Sequence, residues 1–190
     1  MATVRSGEQG ALMVVDVQCG VVGEAFARDR VVGRVALAVE RARAAGVPVL
    51  WVQHESEELE RGSEAWRWVP ELQPRDGEAA IHKRFNSAFE QTGLEAQLAA
   101  LGVSHLVLAG AASNWCIRAT AYAALERGYD LTLVADAHTT PDLALADGRV
   151  LAGGDIVDEL NAVMRWLSYP GRSNRVVSAA ELDFAAAAPR

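Results

Sequence analysis

Cysteine is scarce in this chain: Cys19 and Cys116 are the only two in 190 residues. They make neither a disulfide framework nor a metal-binding spacing, and a reducing, cytoplasmic setting is expected. Basic clusters are missing from a chain of formal net charge −7, which argues against nucleic acid as a partner. Every apolar run is too short to cross a bilayer, and no basic stretch followed by a long apolar one opens the chain. Neither a membrane span nor a secretory signal is therefore expected. Internal repeats are absent, and low complexity is confined to an alanine-rich tail after Asp183. What is left is an ordinary globular balance, 51% apolar and 23% charged residues. Residues 1–190 are read as a single domain large enough to bury a substantial core.

Strand-like and helix-like segments alternate from end to end. Leu12-Met13-Val14-Val15, Val49-Leu50-Trp51-Val52 and Leu106-Val107-Leu108-Ala109 are continuous apolar runs, as expected of strands buried on both faces. Ala80-Ile81-His82-Lys83, Leu131-Thr132-Leu133-Val134 and Val176-Val177 add three more. Helices are expected over 30–45, 93–101, 115–127 and 148–166, the first closed by Gly46 with Pro48 just beyond. Residues 54–79 are polar and carry no clear pattern, which suggests a surface excursion acting as a lid or binding loop. Repeated strand–helix–strand units predict a three-layer α/β/α fold around a mainly parallel, Rossmann-like sheet of about six strands.

Ligands of such sheets bind beyond the C-terminal ends of the strands. Asp16 ends the first strand, Gln53 and His54 the second, Lys83 the third, and Asp136 the fifth. Cys116 follows the fourth, at the start of a helix, where the macrodipole and unpaired amides favour thiolate. A carboxylate, an ammonium and a thiol in one crevice suit nucleophilic attack on a carbonyl. Taken singly, each has a bland role: Asp16 as a loop cap, Lys83 as a solvated charge, Cys116 as a small buried hydrophobe. Gln18, His54, Phe85, Trp115 and His138 are candidate substrate-binding residues. Trp66 and Trp68 fit a pocket or a subunit interface equally well, and Cys19 is either a packed bystander or a second pocket thiol. His82 and His105 look structural or solvated.

Three motifs stand in order. Val15-Asp16-Val17-Gln18 resembles D-x-Q, Lys83-Arg84-Phe85-Asn86-Ser87-Ala88-Phe89 resembles K-x-x-x-S-A-F, and Gly110-Ala111-Ala112-Ser113-Asn114-Trp115-Cys116 resembles G-x-x-[ST]-x-x-C. On these, from about Leu12 to Ala137, the chain resembles the isochorismatase-like cysteine hydrolase superfamily, which includes nicotinamidases, N-carbamoyl amidohydrolases and ureidoacrylate hydrolases. The resemblance implies a catalytic triad of Asp16, Lys83 and Cys116. It also implies a cis peptide between Ala111 and Ala112, with the amides of Ala112 and Cys116 as an oxyanion hole. It implies hydrolysis of a C–N bond in a small-molecule amide, carbamoyl compound, imide or lactam, the last including a streptothricin-type lactam. A homo-oligomer, dimer or tetramer, is expected by resemblance alone. Metal-dependent nicotinamidases carry an Asp-x-His pair and a further histidine after strand two. Here the stretch reads Gln53-His54-Glu55, with no other histidine before His82, so no metal and no cofactor are expected. The alternatives are an isochorismatase-type vinyl-ether hydrolase, in which the thiol is dispensable, and a non-catalytic binding or scaffold protein.

Overall fold

Apolar runs bounded by glycine and proline become the strands, and amphipathic stretches between them become helices. The computed structural model describes residues 5–184, so all but the first residues of the alanine-rich tail lie outside the described residues. In chain order the elements are β1 (Gln9–Val15), α1 (Cys19–Val22), α2 (Arg28–Ala44), β2 (Val49–His54), β3 (Ala79–Lys83), α3 (Leu94–Ala100) and β4 (Val103–Ala111). A π-helical turn (Ser113–Ile117) leads into α4 (Arg118–Glu126), followed by β5 (Asp130–Thr139), β6 (Leu143–Ala144), β7 (Val150–Leu151), α5 (Gly153–Trp166) and β8 (Asn174–Val177). The main sheet runs β3-β2-β1-β4-β5-β8, with every neighbouring pair parallel.

Both faces of the sheet are covered, as the unbroken apolar runs require. Ala11, Met13 and Val15 of β1 enter a layer with Leu94 and Leu98 of α3, Leu125 of α4, and Leu160 and Met164 of α5. Leu12 and Val14 face the other way, into a layer with Val31, Val35, Ala38 and Ala42 of α2. Each fully buried Leu or Val contributes about 1.5–3 kcal/mol. Among the described residues no helix is long and apolar enough to cross a membrane.

Three sequence expectations change. The helix expected from residue 148 starts at Gly153, because Asp147-Gly148 forms a hairpin turn, Gly148 at φ +83°, that pairs β7 with β6. Asp142 Oδ1 then accepts the Gly153 amide at 2.7 Å and begins α5. β5 runs on past Asp136 to Thr139, since its polar end finds partners inside the fold. The 54–79 excursion is strapped down: Val69 and Leu72 are buried, Trp68 meets Trp51 edge-on with centroids 5.1 Å apart, and the Cys19 and Gly20 amides bond Arg67 O and Ala65 O.

Candidate active site

The C-terminal edge of the sheet is built around a close approach of its two central strands. Gly110, near the end of β4, has φ +126°, and a Cβ there would lie 1.9 Å from Val15 O. Only glycine meets both conditions. Asp16 directly follows the end of β1, at φ 52°, a conformation aspartate tolerates better than most residues. Its amide bonds Val52 O at 2.8 Å, and its carboxylate points into the crevice, 1% exposed. Ala111–Ala112 is a cis peptide, as the resemblance implied. The chain then widens into the π turn, where the Trp115 and Ile117 amides both bond Ala112 O at 3.1 Å. Neither the Ala112 nor the Cys116 amide bonds a backbone carbonyl beyond the turn among the described residues.

Lys83 joins these elements. Its side chain has no exposed surface, and Nζ lies 2.7 Å from Asp16 Oδ2. The same ammonium stands 3.1 Å from Cys116 Sγ and 3.1 Å from His54 Nδ1. Asp16, His54 and Cys116 together offer three potential metal-ligand atoms within 4.8 Å of one another. Lys83 Nζ contacts all three, so a metal ion bridging them would have to displace the ammonium.

Electrostatics at the thiol run opposite to the sequence expectation. Burial pushes the Cys116 thiol up to about 12, and the negative charge of Asp16 adds to this while Lys83 opposes it. Asp16 is also raised, by burial, against the pull of Lys83. One buried cation faces two potential anions, so a single negative charge is shared and the resting thiol keeps its proton.

The other predicted residues divide. Phe85 and Trp115 are 44% and 53% exposed, free to meet a ligand. Gln18 is fully buried and its amide is fully spent: Nε2 donates to His54 O at 3.0 Å and Trp66 O at 2.9 Å, while Oε1 accepts the His54 amide at 2.8 Å. His138 is likewise occupied, Nδ1 on Ser113 Oγ at 2.8 Å and Nε2 on Asn161 Oδ1 at 3.1 Å. Burial holds its ring neutral, pushed down to about 4, and it serves as a strut rather than a ligand contact. Asp136 accepts the Ala179 amide at 2.7 Å and Gln53 donates to Trp66 O at 2.9 Å, both away from the thiol. Cys19 Sγ contacts Trp68 O at 3.6 Å, the packed bystander. Trp66 stacks on His82, and His105 bonds Thr132 Oγ1 at 2.9 Å. Asn86, inside the second motif but not singled out, brings Oδ1 to 3.9 Å from Cys116 Sγ.

A doubly wound α/β sheet with a carboxylate, an ammonium and a thiol converging at its C-terminal edge defines the class. Residues 10–152 match the isochorismatase domain family, and the chain belongs to that family. Streptothricin hydrolase of Streptomyces noursei is 35% identical over 160 residues, covering 81% of this chain and 55% of that protein. The ureidoacrylate amidohydrolase RutB of Methylobacterium radiotolerans is 32% identical over 168 residues, covering 66% of this chain and 65% of its own length. The aligned stretches thus leave over a third of each relative unmatched. Among solved structures, an isochorismatase from Pseudomonas putida KT2440 superposes with a TM-score of 0.82 at 30% identity, covering 93% of this chain and 91% of that one.

Proposed function

We propose that this protein hydrolyses a C–N bond of a small amide, carbamoyl compound, imide or lactam through a thioester on Cys116. The observation that carries the reading is the single ammonium of Lys83, in bonding reach of both the Asp16 carboxylate and the Cys116 sulfur. In that arrangement a proton can pass from sulfur to carboxylate without changing the net charge of the buried cluster. Asp16 takes the thiol proton and the thiolate attacks the carbonyl carbon. The oxyanion forms beside the amides of Ala112 and Cys116, where losing one donor typically costs a factor of about 10² to 10³ in rate. Asp16 returns its proton to the departing nitrogen as the C–N bond breaks and the acyl group remains on sulfur. Water then attacks the thioester, Asp16 accepting its proton, and the C–S bond breaks with the proton going back to sulfur.

The names of the streptothricin and ureidoacrylate relatives support a panel of lactams, ureides and linear amides. Mass spectrometry of the Cys116 peptide after incubation with that panel is expected to reveal an acyl adduct from one member. Cys116→Ala is expected to abolish turnover of the same compound. Turnover at near wild-type rate in Cys116→Ala would overturn the thioester mechanism; turnover of a vinyl ether added to the panel, surviving in that variant, would support the vinyl-ether reading with Asp16 as the acid. A bound ligand without turnover would support the binding-protein reading.

A further inference from the structure

The triad leaves one of the Lys83 protons unassigned. An ammonium has three N–H donors. Nζ lies 2.7 Å from Asp16 Oδ2 and 3.1 Å from Cys116 Sγ, within reach of two donors, and the Lys83 side chain has no exposed surface through which water could serve the third. His54 Nδ1, at 3.1 Å, takes it. A buried donor left unpaired is costly, and a charged one more so.

His54 is itself held for this task. It lies directly opposite Lys83 in the parallel pairing of β2 with β3. The side-chain amide of Gln18 grips both of its backbone groups, accepting from N at 2.8 Å and donating to O at 3.0 Å. The motif glutamine, two residues after Asp16, thus acts on the element that carries the histidine. Since Nδ1 accepts, the ring proton sits on Nε2, which makes no hydrogen bond within the protein among the described residues.

We propose that His54 is a positioning residue of the active site, its Nδ1 accepting the third proton of the Lys83 ammonium and holding that cation between Asp16 and Cys116. This rests on the thioester reading for its effect on turnover, but not for its effect on the thiol. With the acceptor gone, the ammonium swings away or gives up its proton, and the Cys116 thiolate loses its counter-charge. The titratable groups facing the thiol are Asp16 and Lys83, and those facing His54 are Lys83, Asp16 and Glu55.

The test compares His54→Asn, whose amide oxygen can stand where Nδ1 stood, with His54→Leu, which offers no acceptor. Iodoacetamide alkylation followed at the Cys116 peptide at pH 8 needs no substrate, so it reads the thiol even if the proposed reaction is wrong. His54→Leu is expected to slow alkylation tenfold or more, and His54→Asn to stay within threefold of wild type. With a turned-over substrate, kcat is expected to fall in His54→Leu while KM holds within threefold. Unchanged alkylation in His54→Leu, an equal loss in both variants, or a rise in KM at constant kcat would each overturn the proposal. Should His54→Leu fail to fold by circular dichroism, His54→Phe replaces it with the same expectations.

Discussion

At Cys116 the balance between burial and charge decides how the thiol behaves before any substrate arrives. Burial and the Asp16 carboxylate both disfavour thiolate, and Lys83 only partly offsets them. Alkylation of Cys116 is therefore expected to be slow at neutral pH and to accelerate tenfold per pH unit well into the alkaline range. Asp16→Asn should separate reactivity from catalysis. Without the neighbouring negative charge the thiol pKa falls, so alkylation at pH 8 is expected to speed up. Hydrolysis is expected to drop by about 10³-fold or more, because no base remains to shuttle the proton. Slower alkylation in this variant would mean that Asp16 helps to form the thiolate through contacts other than its charge. The positions of Asp16, Lys83 and Cys116 were legible in the sequence because apolar runs mark strand ends and the motifs follow them. The sign of the thiol shift was not, because it depends on a carboxylate a hundred residues away and on how little water reaches either group. His138 misleads for the same reason: its partners Ser113 and Asn161 are set by packing across β5, the π turn and α5.

Among the elements, β4 and the segment between β2 and β3 set the geometry of the crevice. Gly110→Ala is expected to cost at least about 3 kcal/mol, as chemical denaturation would measure, since the new methyl group collides with the backbone of β1 and favours a different φ. Gln18→Leu is expected to cost about 2 kcal/mol by taking the side-chain partners from the backbone amide and carbonyl of His54, while Trp66 O keeps only its bond from Gln53. It should also expose the 55–79 segment to limited proteolysis, a change that a purely local loss would not produce. Strand positions were readable from hydrophobic runs alone. The hairpin of β6 and β7 was not, because Val150 and Leu151 also continue the apolar periodicity of the helix after them.

For the molecule as a whole, two groups outside the crevice shape stability in acid. His138 titrates at about 4 when folded and 6.5 when unfolded. The unfolded chain binds more protons between those values, so stability is lost as pH falls from 6.5 to 4. Glu78 sits at about 2 when folded against an ordinary 4.5, because Arg43, the Arg75 amide and the Trp51 indole outweigh the upward push of burial. Its contribution is present above 4.5 and is lost as pH falls towards 2. Each amounts to about 3 kcal/mol across its window. Urea midpoints measured from pH 7 to 3 are expected to fall in two stages, with the first removed in His138→Asn. A single stage unchanged by that substitution would assign the acid limb elsewhere. The strap over β2 has a different consequence. Its carbonyls at Ala65, Trp66 and Arg67 take the protons of Gly20, Gln18, Gln53 and Cys19, so main-chain atoms moor it together with the buried side chains from Trp68 to Leu72. Residues 56–64 lie outside these moorings, which makes this a stretch whose composition can change while the floor of the crevice keeps its geometry.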